Sequence, residues 1–242
     1  MFKILPRIYR ASQLGLLQAG VSESYGVRLY GPRLDATFHM IARENYGNFV
    51  MESLRGADPS LTFLDIGANI GLFSCALYDH FEGKVHSFEP NPKTFGYLQQ
   101  NLLANNAENA RAWCAGIFDA NRFSAALNHS ANRSGASSMV NKYDADATRI
   151  SLLTPNDLSL MMNDTDRYCL KIDVEGVEKN VILALKSAKI LERTDRIVIE
   201  MSENTSDAAT LNEIRKLITT AGLTLADRKG SPNHADELFV RK

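Results

Sequence analysis

At 242 residues, 45% of them hydrophobic, the chain can form one large α/β domain or one domain with an N-terminal extension. Twenty-seven Lys and Arg against 28 Asp and Glu leave a formal charge of −1, so no global field draws in nucleic acid or an anionic membrane. Cys75, Cys114 and Cys169 are too scattered for a zinc knuckle or disulfide framework and read as buried free thiols, while no run reaches about 18 apolar residues; both point to a soluble, cytoplasmic protein without a membrane span.

Residues 1–58 form a weakly patterned extension expected to pack on the core. Within it YGVRLYGPRLD predicts a hairpin or loop. ATFHMIARENYGNFVMESL follows, with Phe38, Ile41, Tyr46, Phe49, Val50 and Leu54 near helical spacing. From residue 59 the pattern changes. LTFLDIG predicts a strand, ANIGLFSCALYDHF a helix beginning at the glycine turn, and KVHSFEP a second strand. NPKTFGYLQQNLLANN predicts a second helix with Pro92 in its first turn, and RAWCAGIF a third strand. Residues 117–155, rich in Asn, Ser and Ala, are too long for a plain connection and read as a β-rich insertion near the ligand face. YCLKIDV and RIVIEMS then flank the helix EGVEKNVILALKSAKIL. SDAATLNEIRKLITTAG is a last helix, and LTLAD and ELFVRK are closing strands. Such alternation predicts a doubly wound α/β fold, Rossmann-like, with a mostly parallel sheet covered by helices on both faces.

In such sheets the ligand lies beyond the carboxyl ends of the strands, where the first glycine turn stands. Gly67 and Gly71 let backbone approach a ligand, and Asn69, in the place of a third glycine, tolerates left-handed backbone. A dinucleotide would bring pyrophosphate here, yet Asp65 lies two residues before Gly67. Like charges ~4 Å apart at an effective dielectric of about 20 repel by roughly 4 kcal/mol. The carboxylate suits S-adenosylmethionine instead, which carries an ammonium and a sulfonium and no phosphate. Glu89, at the end of the second strand, can accept hydrogen bonds from both ribose hydroxyls, as the acid in nicotinamide dinucleotide sites does. Taken singly, each feature has a structural explanation: a tight turn, a helix cap at Asp65, a solvated Glu89.

DIGANIGLFS, FEPNP, RSGASS and above all LKIDVEGVE resemble the FkbM-type methyltransferases, a branch of the class I S-adenosylmethionine-dependent enzymes. The resemblance spans about residues 60–202 and, more loosely, ELFV. It implies a seven-stranded sheet with an antiparallel last strand, and methyl transfer, usually to a hydroxyl oxygen of a sugar or natural product. It also implies that Asp65, Gly67, Asn69 and Gly71 surround the methionine part of the cofactor and that Glu89 holds the ribose. The loop from Gly116 to Asp119 would lie at the adenine.

Transfer from a sulfonium is an in-line displacement, helped by a base or electrostatic stabiliser beside the acceptor oxygen. Asp173, ending the KIDV strand, is the first candidate, with a helix N-cap as its structural alternative. Glu175 belongs to the first turn of the next helix, where the macrodipole favours an acid. Glu200 ends the fifth strand at the same edge, and Glu178 reads as solvated helix surface. His129, in the insertion, is a candidate base; His86 reads as packed in its strand, His80 as a helix end, and His39 and His234 as peripheral. Asp173, Glu175 and Glu200 are hard oxygen donors, but no tight ligand spacing appears and no metal is assigned. The expectation is O-methylation of a sugar, glycan or secondary metabolite. Its rivals are a nicotinamide-dependent oxidoreductase, which wants a third glycine and no acid at 65, and a non-catalytic nucleoside-binding module.

Overall fold

The computed structural model describes residues 19–43, 46–128, 135, 137–139, 147–163 and 165–242. The chain enters through a hairpin, β1 (Ala19–Ser24) and β2 (Val27–Pro32), joined by Tyr25 and Gly26. Both turn residues have positive φ, the two-residue loop that matches strand twist. Helix α1 (Ala36–Ile41) is capped by Asp35, whose carboxylate accepts from the Phe38 amide, and α2 (Asn48–Arg55) follows. The single amphipathic stretch read from sequence is therefore two helices. Gly47, at φ 65°, turns the chain between them, where a side chain would run into the Phe73 ring.

The core sheet takes β3 (Thr62–Ile66), β4 (Val85–Phe88), β5 (Arg111–Trp113), β9 (Tyr168–Ile172), β10 (Thr194–Ser202), β11 (Leu223–Ser231) and β12 (His234–Arg241). Its order is β11-β12-β10-β9-β3-β4-β5, with β12 alone running opposite to the other six strands. This is the seven-stranded doubly wound sheet expected. Strands β3, β4 and β9 are buried along their whole length, which is why they read as continuous apolar runs.

The alternation of side chains builds two cores. Leu64, Ile66, Leu170 and Ile172 face α6 (Glu178–Ser187) and α7 (Ala208–Thr220), meeting Val181, Leu185, Ile214 and Ile218. Phe63, Val85, Cys169 and Val198 face the opposite way, toward α2, α3 (Leu72–Ala76) and α4 (Pro92–Ala104). Asp65 and Lys171 share the parity of Phe63 and Cys169, so two charged groups point into this second layer. Buried Asn101 of α4 ties the hairpin to the glycine turn. Its amide nitrogen donates to the carbonyls of Tyr30 (3.0 Å) and Ile70 (2.7 Å), and its oxygen accepts from the Tyr30 amide.

RAWCAGIF, read as one strand, divides into β5 and β6 (Gly116–Ile117). The latter leaves the main sheet to pair with β8 (Ala147–Leu153), which also pairs with β7 (Ser124–Asn128). Helix α5 (Pro155–Met161), missed in the sequence reading, had its signal in TPND: Thr154 and Asp157 form a reciprocal capping box, with Pro155 in the first turn. Cys75 and Cys169 are buried free thiols, and Cys114 is partly exposed. Among the described residues no helix is long and apolar enough to cross a membrane.

Candidate active site

A cavity of about 260 Å³ opens at the carboxyl ends of β3, β4, β9 and β10. Gly67, Ala68 and Asn69 form one wall. Gly67 (φ 82°), Asn69 (φ 51°) and Gly71 (φ 91°) all take left-handed backbone, as the motif's residue types permit. The requirement at Gly67 is steric as well, since a Cβ there would lie 1.8 Å from the Asp173 carbonyl oxygen. Gly71 caps α3, and a Cβ on it would meet Leu98. The glycines thus serve close packing of the turn onto the KIDVEG segment and onto α4.

Asp65 is placed differently from the sequence expectation. It is wholly buried and does not line the cavity. Ser74 donates to its Oδ2 (2.6 Å), and Lys171 Nζ stands 3.4 Å from its Oδ1. The register of β3 against β9 sets Asp65 directly opposite Lys171, so the carboxylate's cation comes from the protein itself. Lys171 also donates to the Gly67 carbonyl (2.7 Å), lies over the Phe73 ring and stands 3.5 Å from Asp173 Oδ2. Burial opposes its charge, but Asp173 and Asp65 outweigh burial and its pKa is raised. Sequence reasoning passed over Lys171, although it sits inside the most distinctive motif.

Glu89 lines the cavity beside Asn69. Its Oε2 accepts from the Asn69 amide (3.0 Å) and its Oε1 from the Asn91 amide (2.8 Å), which leaves lone pairs on both oxygens for a diol. Burial lifts its pKa to about 7 against the pull of those amides. From its ordinary 4.5 up to about 7 the folded chain keeps a proton that the unfolded chain has released, so this group makes stability fall as pH rises through that window. Glu89→Gln removes the effect. In denaturant titrations at pH 5 and pH 7.5 the variant should gain on the unmodified protein at the higher pH; a pH-independent difference would contradict this.

Ala115, Gly116 and Ile117 also line the cavity, with Gly116 close to Pro90. Asp119 does not. It accepts from the Asn180 side chain (2.8 Å) and lies outside the cavity lining, because β6 has already turned toward the small sheet.

At the cavity ends of β9 and β10, Asp173, Glu175 and Glu200 come together, with carboxylate oxygens within 4.8 Å of one another. That spacing suits hydroxyl groups as well as a cation, and we assign no metal. Asp173 caps no helix, since α6 begins at Glu178 after the uncapped Val177. Glu175 precedes the helix, in a left-handed turn (φ 55°) with Gly176, and its carbonyl accepts from Ser138 of the insertion. Non-glycine residues held there mark a conformation imposed by their surroundings. Glu178 is buried rather than solvated, because its Oε1 accepts from the Gly176 amide (2.9 Å) and closes the turn.

Two residues read as peripheral or structural complete this face. His234, at the start of β12, lines the cavity with Nε2 3.4 Å from Glu200 Oε1. Tyr46, between α1 and α2, lines it too, and burial followed by Asp173 pushes its phenol up to about 12. Burial, then Asp173 and Glu175, raises Glu200 to about 9, and Asp236, opposite Glu200 on β12, is raised to about 6 by burial and Asp173. His129 lies outside the described residues.

The model of the methyltransferase FkbM domain matches residues 65–225. No curated protein matches the sequence. Among solved structures, P. horikoshii TYW2 in complex with MeSAdo superposes with a TM-score of 0.52 at 12% identity, covering 92% of this chain and 71% of that one. WbdD, solved with the kinase inhibitor LY294002, gives 0.50 at 12% identity, over 81% of this chain and 41% of that one. M. jannaschii TYW2 in complex with AdoMet gives 0.46 at 15% identity, over 93% and 87%. At such identities the first two likenesses concern the fold alone. The domain match, with the left-handed glycine turn and the acid at the end of β4, carries the assignment: this chain belongs to the FkbM family of S-adenosylmethionine-dependent methyltransferases.

Proposed function

We propose that the protein methylates a hydroxyl oxygen of a sugar, glycan or secondary metabolite. The observation that carries this reading is the face made by Glu175, Glu200, His234 and Tyr46, set in the cavity next to the Gly67–Asn69 turn. Carboxylates, an imidazole and a phenol accept and donate to hydroxyls, while Met40, Ile41, Phe73, Leu127 and Met139 supply an apolar lining that excludes water.

The donor set fits S-adenosylmethionine: Glu89 has lone pairs for ribose hydroxyls, and Ala115–Ile117 offer an apolar wall for adenine. When bound, that cofactor supplies an electrophilic methyl group. The chain's own part is to align the acceptor oxygen, exclude water and take the hydroxyl proton. Glu175 and Asp173, the sequence candidates, stand at the cavity, but Glu200 is the carboxyl best suited to the proton, because its raised pKa makes its ionised form a stronger base than an ordinary carboxylate.

Incubation with methyl-labelled S-adenosylmethionine and a panel of methyl hexosides, deoxyhexosides and phenols tests the reading; label found on nitrogen or carbon acceptors alone would reject it. With an accepted hydroxyl, the rate should climb with pH toward about 9 as Glu200 loses its proton. Glu200→Gln should flatten that limb and lower the rate about 10²–10⁴-fold.

A further inference from the structure

We propose that the ammonium of S-adenosylmethionine is bound by Asp173, the cavity end of an Asp65–Lys171–Asp173 charge triad. This rests on S-adenosylmethionine being the donor, as the family assignment has it.

The donor's ammonium needs an acceptor near the glycine turn, and the acid best placed in the sequence is not free to be one. Asp65 has no exposed side-chain surface, with Ser74 on one oxygen and Lys171 beside the other. Lys171 is only 6% exposed and directs its nitrogen at three oxygens: Gly67 O at 2.7 Å, Asp65 Oδ1 at 3.4 Å and Asp173 Oδ2 at 3.5 Å. Two carboxylates and one ammonium leave the triad one net negative charge. Side-chain exposure rises from Asp65 through Lys171 to 36% at Asp173, so the surplus charge is presented where Asp173 meets the cavity.

Position supports the same assignment. The backbone of Asp173 packs directly on Gly67, and its amide donates to the Ile66 carbonyl (3.1 Å), so its carboxylate projects beside the segment that wraps the methionine part. No helix cap engages that carboxylate. The acid of the DIG motif therefore acts at one remove, by holding the lysine that holds Asp173. Asp173 becomes a ligand-binding residue, leaving the acceptor's proton to Glu200 and its neighbours.

Calorimetric titration of the full chain with S-adenosylhomocysteine and with 5′-methylthioadenosine, which lacks the ammonium and carboxylate, separates the roles. Asp173→Asn should weaken S-adenosylhomocysteine about 10–100-fold, the loss of one charged hydrogen bond, and change 5′-methylthioadenosine less than about 3-fold. Glu175→Gln should leave the ratio of the two affinities unchanged. Equal weakening of both ligands by Asp173→Asn would mean a damaged pocket and overturn the proposal, and unaltered S-adenosylhomocysteine binding would do so too. Tighter binding would place Asp173 against the ligand's carboxylate and equally overturn it. An unmodified chain that binds neither ligand would remove the donor assignment itself.

Discussion

Gly67→Ala should be the most damaging single-methyl change in the protein. The left-handed backbone at φ 82° costs alanine about 1–3 kcal/mol. The new Cβ would also stand 1.8 Å from the Asp173 carbonyl oxygen, and because that neighbour is backbone, relief requires moving β3 away from the end of β9. Displacements of that kind cost roughly 1–3 kcal/mol more. A total of about 2–6 kcal/mol corresponds to a fall in Tm of roughly 5–20 °C for a chain of this size. Gly71→Ala, whose Cβ meets only the tip of Leu98, should lose less, and Gly96→Ala in α4, with open space around it, should be neutral or slightly stabilising. Thermal unfolding of the three variants checks the order. If Gly67→Ala melted with Gly96→Ala, the close packing of the glycine turn on KIDVEG would be wrong.

Lys171→Met should destabilise the fold by about 3–5 kcal/mol, the usual cost of removing one partner from a buried ion pair. The methionine fills the same channel beside Phe73, so little of the loss comes from packing. The loss comes from Asp65, left with Ser74 as its near hydrogen-bond donor in a site without water access. The double change Asp65→Asn with Lys171→Met should recover much of that stability while donor binding stays impaired, because Asp173 has lost its support. Denaturant titration of the single and double variants measures the coupling. Additive losses would show that Asp65 and Lys171 do not act as a pair.

The strength of these two expectations marks where local and non-local information divide. The left-handed turn was legible because glycine and asparagine are the residues that take such backbone, and the place of Glu89 at the cavity because an acid after an apolar strand stands at the carboxyl edge of the sheet. Both are properties of a few consecutive residues. The surroundings of Asp65 were not legible, for the opposite reason. DIG shows a carboxylate near a cofactor, but what that carboxylate touches depends on a strand 106 residues later in the chain. His234 was passed over on similar grounds, since a histidine in SPNHAD carries no pattern, and only the antiparallel return of β12 against β10 brings it to Glu200.

By itself the sequence determined the alternation of strands and helices, the conformation of the glycine turn, the acid of β4 and the resemblance that named the family, because periodicity, backbone preference and short motifs are written in neighbouring residues. Tertiary structure alone decided which of several carboxylates meets the cavity. Parallel neighbours in this sheet come from distant segments, and their register sets which charge stands opposite which. Lys171 then pairs with the buried Asp65 inside the protein, and Asp173 is left at the surface of the site.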